Sequence, residues 1–236
     1  MGSSPMLQCV NLKNRVARRR WCQNNRFWGR ERWHKVLFSD EAPFDLLGSR
    51  LRTFVKRKPN ERYMYLPECL EPKQQNGGGK VHVWGCMSAK GVGELRILTR
   101  NVNSDYYVEI LGKEMVESGR PLMNDYFVFQ QDNAPAHKSK KSMGWLEDHD
   151  INVLPWPARS PNLNPIENLW RIMQSKVKKS NPENLEDLKM KIMDAWRSIT
   201  PSSVEPLMMI FLVMYVMCII ISVLNCHYEK PLPCTS

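Results

Sequence analysis

The spacing of apolar residues predicts an alternating series of strands and helices. Leu12, Val16, Trp21 and Trp28 recur at near-helical spacing and predict a helix at the start of the chain. Short apolar runs predict strands at 36–38, 44–47, 51–55, 81–84, 94–98, 126–130 and 151–154, with glycine-containing turns at 48–49 and 91–93. Helical patterns cover 103–118 and 136–148. This order predicts an α/β fold with a mixed sheet.

Two more helices are predicted after residue 160. The first has a buried stripe formed by Ile166, Leu169, Trp170, Met173 and Val177, and a polar face formed by Glu167, Arg171, Gln174 and Lys178. The second has Asn181 as its cap and Pro182 at its first position, and its apolar side runs from Leu185 to Ile199. Pro201 is expected to end it.

The segment 56–80 differs from its surroundings. It holds three prolines, a run of three glycines and charges of both signs, and it is long for a plain connection. We therefore expect an inserted loop. The glycine run is not a phosphate-binding loop, because no Gly-Lys-Ser/Thr follows it at the required spacing.

The charge distribution points to a polyanionic partner. The net charge is +10, and residues 1–35 alone carry nine basic side chains and one acid, Glu31. Such a run is typical of a solvated helix face or a disordered basic arm. Because tryptophans are interleaved with it, we favour a partly packed helix whose outer face meets DNA phosphates. The candidate contacts are Arg18, Arg19 and Arg20.

The cysteines indicate a reducing compartment. There are seven, an odd number, with no Cys-x-x-Cys pair and no secretory signal at the N-terminus. Free thiols suit a nuclear location.

Three acids lie at the ends of predicted elements. Asp40 and Asp132 follow apolar runs, and Glu167 lies in the first turn of a helix. Carboxylates are the ligands that Mg²⁺ takes in proteins. Each acid also has a simpler interpretation. Asn164-x-x-Glu167 has the form of a capping box, Asp132 could belong to a turn, and Asp40 could be a solvated strand end. Spacing by itself does not decide between these interpretations.

Four longer motifs decide in favour of a metal site. VLFSDEAPF, GGGKVHVWGCMSAKGVGEL, DNAPAH and VLPWPARSPNLNPIENLW closely resemble the catalytic domain of the Tc/mariner superfamily of DNA transposases. The 34 residues between Asp132 and Glu167 match its Tc-like branch. The resemblance covers roughly residues 13–200. It implies a ribonuclease H-like fold in which Asp40, Asp132 and Glu167 hold two Mg²⁺ or Mn²⁺ ions, with Asp40 bridging them.

The resemblance also implies partners. It predicts DNA as substrate, at the element ends and at a TA target step, and a homodimer in the nucleus. The loop at 56–80 would act as a clamp, the alternative being a disordered insertion. His137, Lys138 and Arg171 are further candidate DNA contacts, and assistance at the active site or a structural role are the alternatives for His137. Family members carry two helix-turn-helix units before this domain, and we expect the residues before Asp40 to be too few to hold them.

The C-terminal region departs from the family pattern. Residues 207–224 are eighteen positions without a charge, just long enough for a membrane span. A membrane anchor, a buried C-terminal helix and read-through sequence are the three interpretations, and we favour the last. The predicted organisation is a basic helical segment at 1–35, a catalytic domain at 36–200 and a divergent apolar tail at 201–236.

These features predict the catalytic domain of a DDE transposase, named for its Asp-Asp-Glu triad, as a truncated or degenerate copy. The alternative from another class is a non-catalytic DNA-binding remnant. A hydrolase of RNA in RNA–DNA hybrids is suggested by fold alone.

Overall fold

The computed structural model describes residues 12–46, 79–123 and 126–224. Its strands are β1 (Val36–Asp45), β2 (Lys80–Ser88), β3 (Gly91–Val92), β4 (Arg96–Leu98), β5 (Val128–Gln130) and β6 (Asn152–Val153). Its helices are α1 (Leu12–Asn24), α2 (Arg30–Trp33), α3 (Ser104–Ile110), α4 (Arg120–Met123), α5 (Lys140–Asp148), α6 (Ile166–Lys179), α7 (Leu185–Arg197) and α8 (Pro201–Leu224). A π-helical segment, Leu111–Gly119, joins α3 to α4, and a 3₁₀ turn, Pro161–Leu163, precedes α6.

The strands form one mixed sheet, as the order of elements predicts. The strand order is β3-β2-β1-β5-β6, and β4 also pairs with β2. β1 runs antiparallel to β2 and parallel to β5, which runs parallel to β6. One hydrophobic cluster contains residues of α1, α2, α6, α7 and α8, and a second contains residues of α3, the π-helical segment and α5. Helices thus cover the sheet, and the predicted α/β class is confirmed.

The first strand is longer than the sequence pattern indicates. We predicted separate strands at 36–38 and 44–47, but β1 continues through Asp40 and Glu41 to Asp45, opposite Lys80 of β2. The acids do not interrupt the strand because both remain paired with β2. Pro43 is tolerated because β5 pairs only with residues 36–38, so β1 has a strand on one side at that point. Leu47, the strand predicted at 51–55 and the loop predicted at 56–80, apart from its last two residues, lie outside the described residues.

Two helix starts differ from the prediction. Asn184, not Asn181, caps α7, because its side chain accepts a hydrogen bond from the Asp187 amide. Asn181 has a positive φ of 49° and lies just after α6, where asparagine tolerates a left-handed conformation. α5 begins at Lys140 with Ser139 as its cap, so residue 136 lies in the turn before it.

The apolar C-terminal stretch forms α8, and one side of this helix packs into the core. Phe211 and Tyr215 contact the ring of Trp33, with centroids 5.0 and 4.9 Å away, and Phe211 also contacts Phe38 of β1. Val213, by contrast, is 59% exposed. Within the described residues, the stretch Pro201–Cys218 is long and apolar enough to cross a membrane, and 28% of it is buried in the protein. Of the three interpretations, the buried helix describes this side of α8.

Candidate active site

β1 and β5 bring Asp40 and Asp132 to the same edge of the sheet. The two strands are parallel neighbours, and Phe38 pairs with Gln130. Asp40 and Asp132 each lie two residues beyond this pair, so they stand at the same level just past the end of the β1–β5 pairing. Asp40 remains paired with β2. This proximity follows from the register and could not be read from the sequence.

The loop before α6 brings Glu167 to the same place. The side-chain amide of Asn164 donates a hydrogen bond of 3.1 Å to the carbonyl of Ser39, the residue before Asp40. Further along α6, the Gln174 amide donates to the carbonyl of Pro43 at 3.0 Å. The two bonds hold α6 and the residues just before it against β1. The predicted buried stripe of this helix is confirmed, and Glu167 lies outside it, half-buried.

Asp40 occupies an environment that opposes its ionisation. Burial, and then the nearby carboxylates of Glu167, Glu41 and Asp132, raise the pKa of Asp40 to about 8. Its Oδ2 atom is buried and has no hydrogen-bond partner among the described residues. A buried acceptor without a partner costs free energy. A cation at this point would remove both penalties.

Glu167 is not a capping residue. In a capping box its carboxylate would accept from the Asn164 amide, but that amide donates to the carbonyl of Pro161 at 2.8 Å. At the start of α6 the Ile166 amide donates to the side-chain oxygen of Asn164 at 3.4 Å, and the Glu167 carboxylate takes no part. Burial raises the pKa of Glu167, and the nearby Arg171 opposes that shift. The carboxylate therefore remains available to a ligand.

Asp132 is held by one oxygen. Its Oδ1 atom accepts hydrogen bonds from the Ala134 amide at 2.8 Å and from Nδ1 of His137 at 2.7 Å. The hydrogen bond from His137 lowers the pKa of Asp132 despite the partial burial of the carboxyl. Asp132 thus remains ionised at neutral pH.

Sequence reasoning missed the role of Glu41 and did not identify the contacts of His137 in the site. The Nε2 atom of His137 lies 3.1 Å from Oε1 of Glu41, so the ring bridges Glu41 and Asp132. Burial lowers the pKa of His137, but the hydrogen bonds to Asp132 and Glu41 outweigh it and raise the pKa to about 9. His137 is only 4% exposed, so it is placed as part of the site and not as a DNA contact on the surface. The sequence signal for Glu41 was its position next to Asp40.

The acids have the chemistry of a divalent-metal site, although they are not closed around one point. Among the described residues, no three His, Cys, Asp or Glu side chains stand at the spacing that would hold one ion. The unpartnered oxygen of Asp40, with Asp132 and Glu167 beside it, is the donor set that a hard cation takes. We conclude that these residues fit Mg²⁺ or Mn²⁺.

Among the other candidate DNA contacts, the structure links Arg18 and Arg171 to the segment that carries Glu167. Arg18 of α1 donates to Oδ1 of Asn162 at 2.8 Å, which ties α1 to the loop before α6. Arg171 donates to Oδ1 of Asn168 in the first turn of α6. Arg20 and Lys138 are exposed, and Arg19 is partly exposed. Arg171 therefore places a positive charge near Glu167.

Comparisons with known proteins identify the family of this chain. A family model described as DDE superfamily endonuclease matches residues 35–189. The Tcb1 transposase of Caenorhabditis briggsae is 34% identical over 199 residues, which is 84% of this chain and 72% of that protein. The Tc1 transposase of Caenorhabditis elegans is 34% identical over 198 residues, with the same coverage.

Solved structures show the same fold. The Mos1 transposase paired-end complex with left transposon end aligns with a TM-score of 0.71 and 19% identity, over 94% of this chain and 66% of the Mos1 chain. The catalytic domain of Mos1 mariner transposase aligns with a TM-score of 0.67 and 18% identity, over 93% of this chain and 98% of that domain. The predicted ribonuclease H-like fold is thereby confirmed. The chain belongs to the DDE superfamily of endonucleases, as a catalytic domain of the Tc/mariner transposases.

Proposed function

We propose that this chain cleaves DNA and transfers the cut strand with the help of two divalent metal ions held by Asp40, Asp132 and Glu167. The observation that carries the proposal is the buried, unpartnered Oδ2 atom of Asp40, together with the pKa of about 8 to which burial, and then the neighbouring acids, raise this residue. Such an arrangement is unfavourable without a positive ligand. Solved structures of the Mos1 catalytic domain contain Mn or Mg, which supports this choice of ions.

In-line attack on a phosphodiester builds negative charge on the attacking and leaving oxygens, which two bound ions would stabilise while activating the attacking water. The residues of this chain hold the three carboxylates in position. Asp40 stands within the paired strand β1, Asp132 is oriented through its Oδ1 atom, and Glu167 is carried by α6, which is tied to β1. Arg171, next to Glu167, is placed to attract a phosphate group.

The proposed substrate is DNA. The net charge of +10 and the exposed basic residues of α1 and α6 support a polyanionic partner. One Mos1 structure is described as a complex with a transposon end. The TA target step, the homodimer, the clamp-like role of the loop at 56–80 and the nuclear location follow from the family resemblance alone and stay proposals. Contact of 207–224 with a membrane is the alternative to the nuclear location.

A plasmid-nicking assay tests the proposal. Supercoiled plasmid is incubated with the chain in Mg²⁺ or Mn²⁺, and Asp132→Asn is compared with Asp148→Asn, which changes an exposed acid of α5. We expect the parent and Asp148→Asn to nick DNA and Asp132→Asn to be inactive. Equal nicking by both variants would overturn the assignment of the site.

A second candidate function is non-catalytic DNA binding. The observation that favours it is the positive charge, because the net charge is +10 and Arg20 of α1 and Arg171 of α6 are exposed, which suits phosphate binding without any chemistry at the acids. This candidate predicts salt-sensitive DNA binding by the parent with no nicking in either metal.

A further inference from the structure

We infer that His137 is a positioning residue for Asp132, fixing one carboxylate oxygen so that the other is presented to the cation. This inference rests on the proposed function, because it assigns a purpose to His137 within the same site. His137 lies outside the triad and acts through its Nδ1 atom on Oδ1 of Asp132.

The first support is that both hydrogen bonds to the Asp132 carboxylate go to the same oxygen. Oδ1 receives both hydrogen bonds, from His137 at 2.7 Å and from the Ala134 amide at 2.8 Å. The side chain as a whole is 54% exposed. One oxygen is therefore anchored to the protein, and the carboxylate still faces outward. Ligating carboxylates in metal sites are commonly oriented by such hydrogen bonds.

The second support is that His137 itself is held on three sides. Glu41 accepts from Nε2 at 3.1 Å, and the ring of Tyr107 stacks on the imidazole with centroids 4.0 Å apart. The backbone carbonyl of His137 accepts from the Gln131 amide at 3.2 Å, and Gln131 in turn accepts from the Tyr107 hydroxyl at 2.7 Å. The ring cannot rotate without breaking several contacts. A side chain constrained in this way can transmit its orientation to Asp132.

The competing explanation is that His137 merely takes the place of a cation. A positively charged ring between two carboxylates would then leave Asp132 when a metal ion binds. The two explanations differ in whether the bond between Nδ1 and Oδ1 survives metal binding, and both a mutational and a spectroscopic test follow from that difference.

The mutational test replaces His137 with asparagine or glutamine, whose side-chain amides place a hydrogen-bond donor at different points. The asparagine amide can reach the position of Nδ1, whereas the longer glutamine amide reaches toward Nε2. We expect His137→Gln to weaken Mn²⁺ binding, measured by isothermal titration calorimetry, by about 10- to 100-fold. His137→Asn should stay close to the parent, because the donor to Asp132 is retained. A purely structural role would make both variants fail alike.

Controls distinguish a failure of the positioning role of His137 from a failure of the proposed metal site. Thermal unfolding in EDTA shows whether each variant is folded, and His149→Asn removes another histidine that stacks on an aromatic ring, Trp145, at the C-terminal end of α5. If Asp132→Asn binds Mn²⁺ as tightly as the parent, the proposed function fails. If Asp132→Asn loses binding but His137→Gln binds like the parent, the site stands and the positioning role is overturned.

The spectroscopic test uses the unaltered protein, so it does not depend on a variant that folds. The side-chain nitrogens of ¹⁵N-labelled histidine are followed by NMR while Mg²⁺ is added. We expect the Nδ1–H signal of His137 to persist in the metal-bound protein, with the signals of His149 as an internal reference. Loss of the Nδ1–H signal on Mg²⁺ binding would show that the ring only substitutes for the cation, and would overturn the inference.

Discussion

At the residue scale, the environment of Asp40 combines burial with three neighbouring acids. Its pKa of about 8 lies far above the ordinary value of 3.8. In the folded protein the residue therefore keeps its proton at neutral pH, whereas in the unfolded chain it does not. The folded state loses stability relative to the unfolded chain as the pH rises from about 4 to about 8. This residue is a source of strain that a divalent cation would relieve.

We expect Asp40→Asn to be more stable than the parent in EDTA, by an amount that grows between pH 4 and pH 8. The asparagine carries no charge, so it escapes the loss that the parent suffers over this range. The measurement is urea unfolding at several pH values, with Asp148→Asn as the control. A stability difference that stays constant with pH would contradict the burial and repulsion assigned to Asp40. Added Mg²⁺ should stabilise the parent more than the variant.

Glu167→Gln is expected to abolish nicking and to change the free energy of unfolding little. The carboxylate caps no backbone amide, so its removal leaves α6 intact. Nicking and urea unfolding are measured on the same preparation. Glu186→Gln, in the first turn of α7, is the matched control and should retain nicking. A loss of about 0.5–2 kcal/mol with nicking retained would instead identify Glu167 as a cap.

At the scale of elements, α8 contributes one side to the core and leaves apolar residues on the other. Its rings complete an aromatic cluster with Trp21 and Trp33 of the N-terminal helices. α1, α2 and α8 share one hydrophobic cluster with β1, so the segments before 36 and after 200 pack together with the sheet. A truncation at Thr200 would remove this side of the core and is expected to unfold the domain.

The contrast between two positions on α8 gives a stability prediction. Phe211 is 3% exposed and Val213 is 59% exposed. We expect Phe211→Ala to lower the free energy of unfolding by about 3–5 kcal/mol, because it leaves a cavity in the aromatic cluster. Val213→Ala should change it by about 0.5 kcal/mol or less. Equal effects in urea unfolding would show that α8 does not pack as described.

At the scale of the whole molecule, the net charge of +10 is expected to govern the proposed association with DNA. Counterions released from DNA make the affinity fall as salt is added. Arg171 lies on α6 beside Glu167, where a phosphate near the site would pass. Lys189 of α7 is instead paired with Glu186. The two residues therefore provide a matched comparison of charge removal.

We expect Arg171→Gln to weaken DNA binding at every sequence and to reduce the slope of log affinity against log salt by about 1. Lys189→Gln should leave the slope close to that of the parent. Fluorescence anisotropy with a labelled duplex over a range of salt concentrations measures both. An unchanged slope in Arg171→Gln would remove that residue from the set of phosphate contacts.

The pattern of residues along the chain was enough to predict the alternation of strands and helices, the buried stripe of α6 and the family, because these depend on local spacing and on continuous motifs. The three acids were named from the same motifs. The folded structure was needed to show that β1 is continuous, that one side of α8 packs into the core, and that His137 lies between Asp132 and Glu41. The last contact joins residues 96 positions apart. Such contacts depend on strand register and on packing between distant segments, and no local pattern records them.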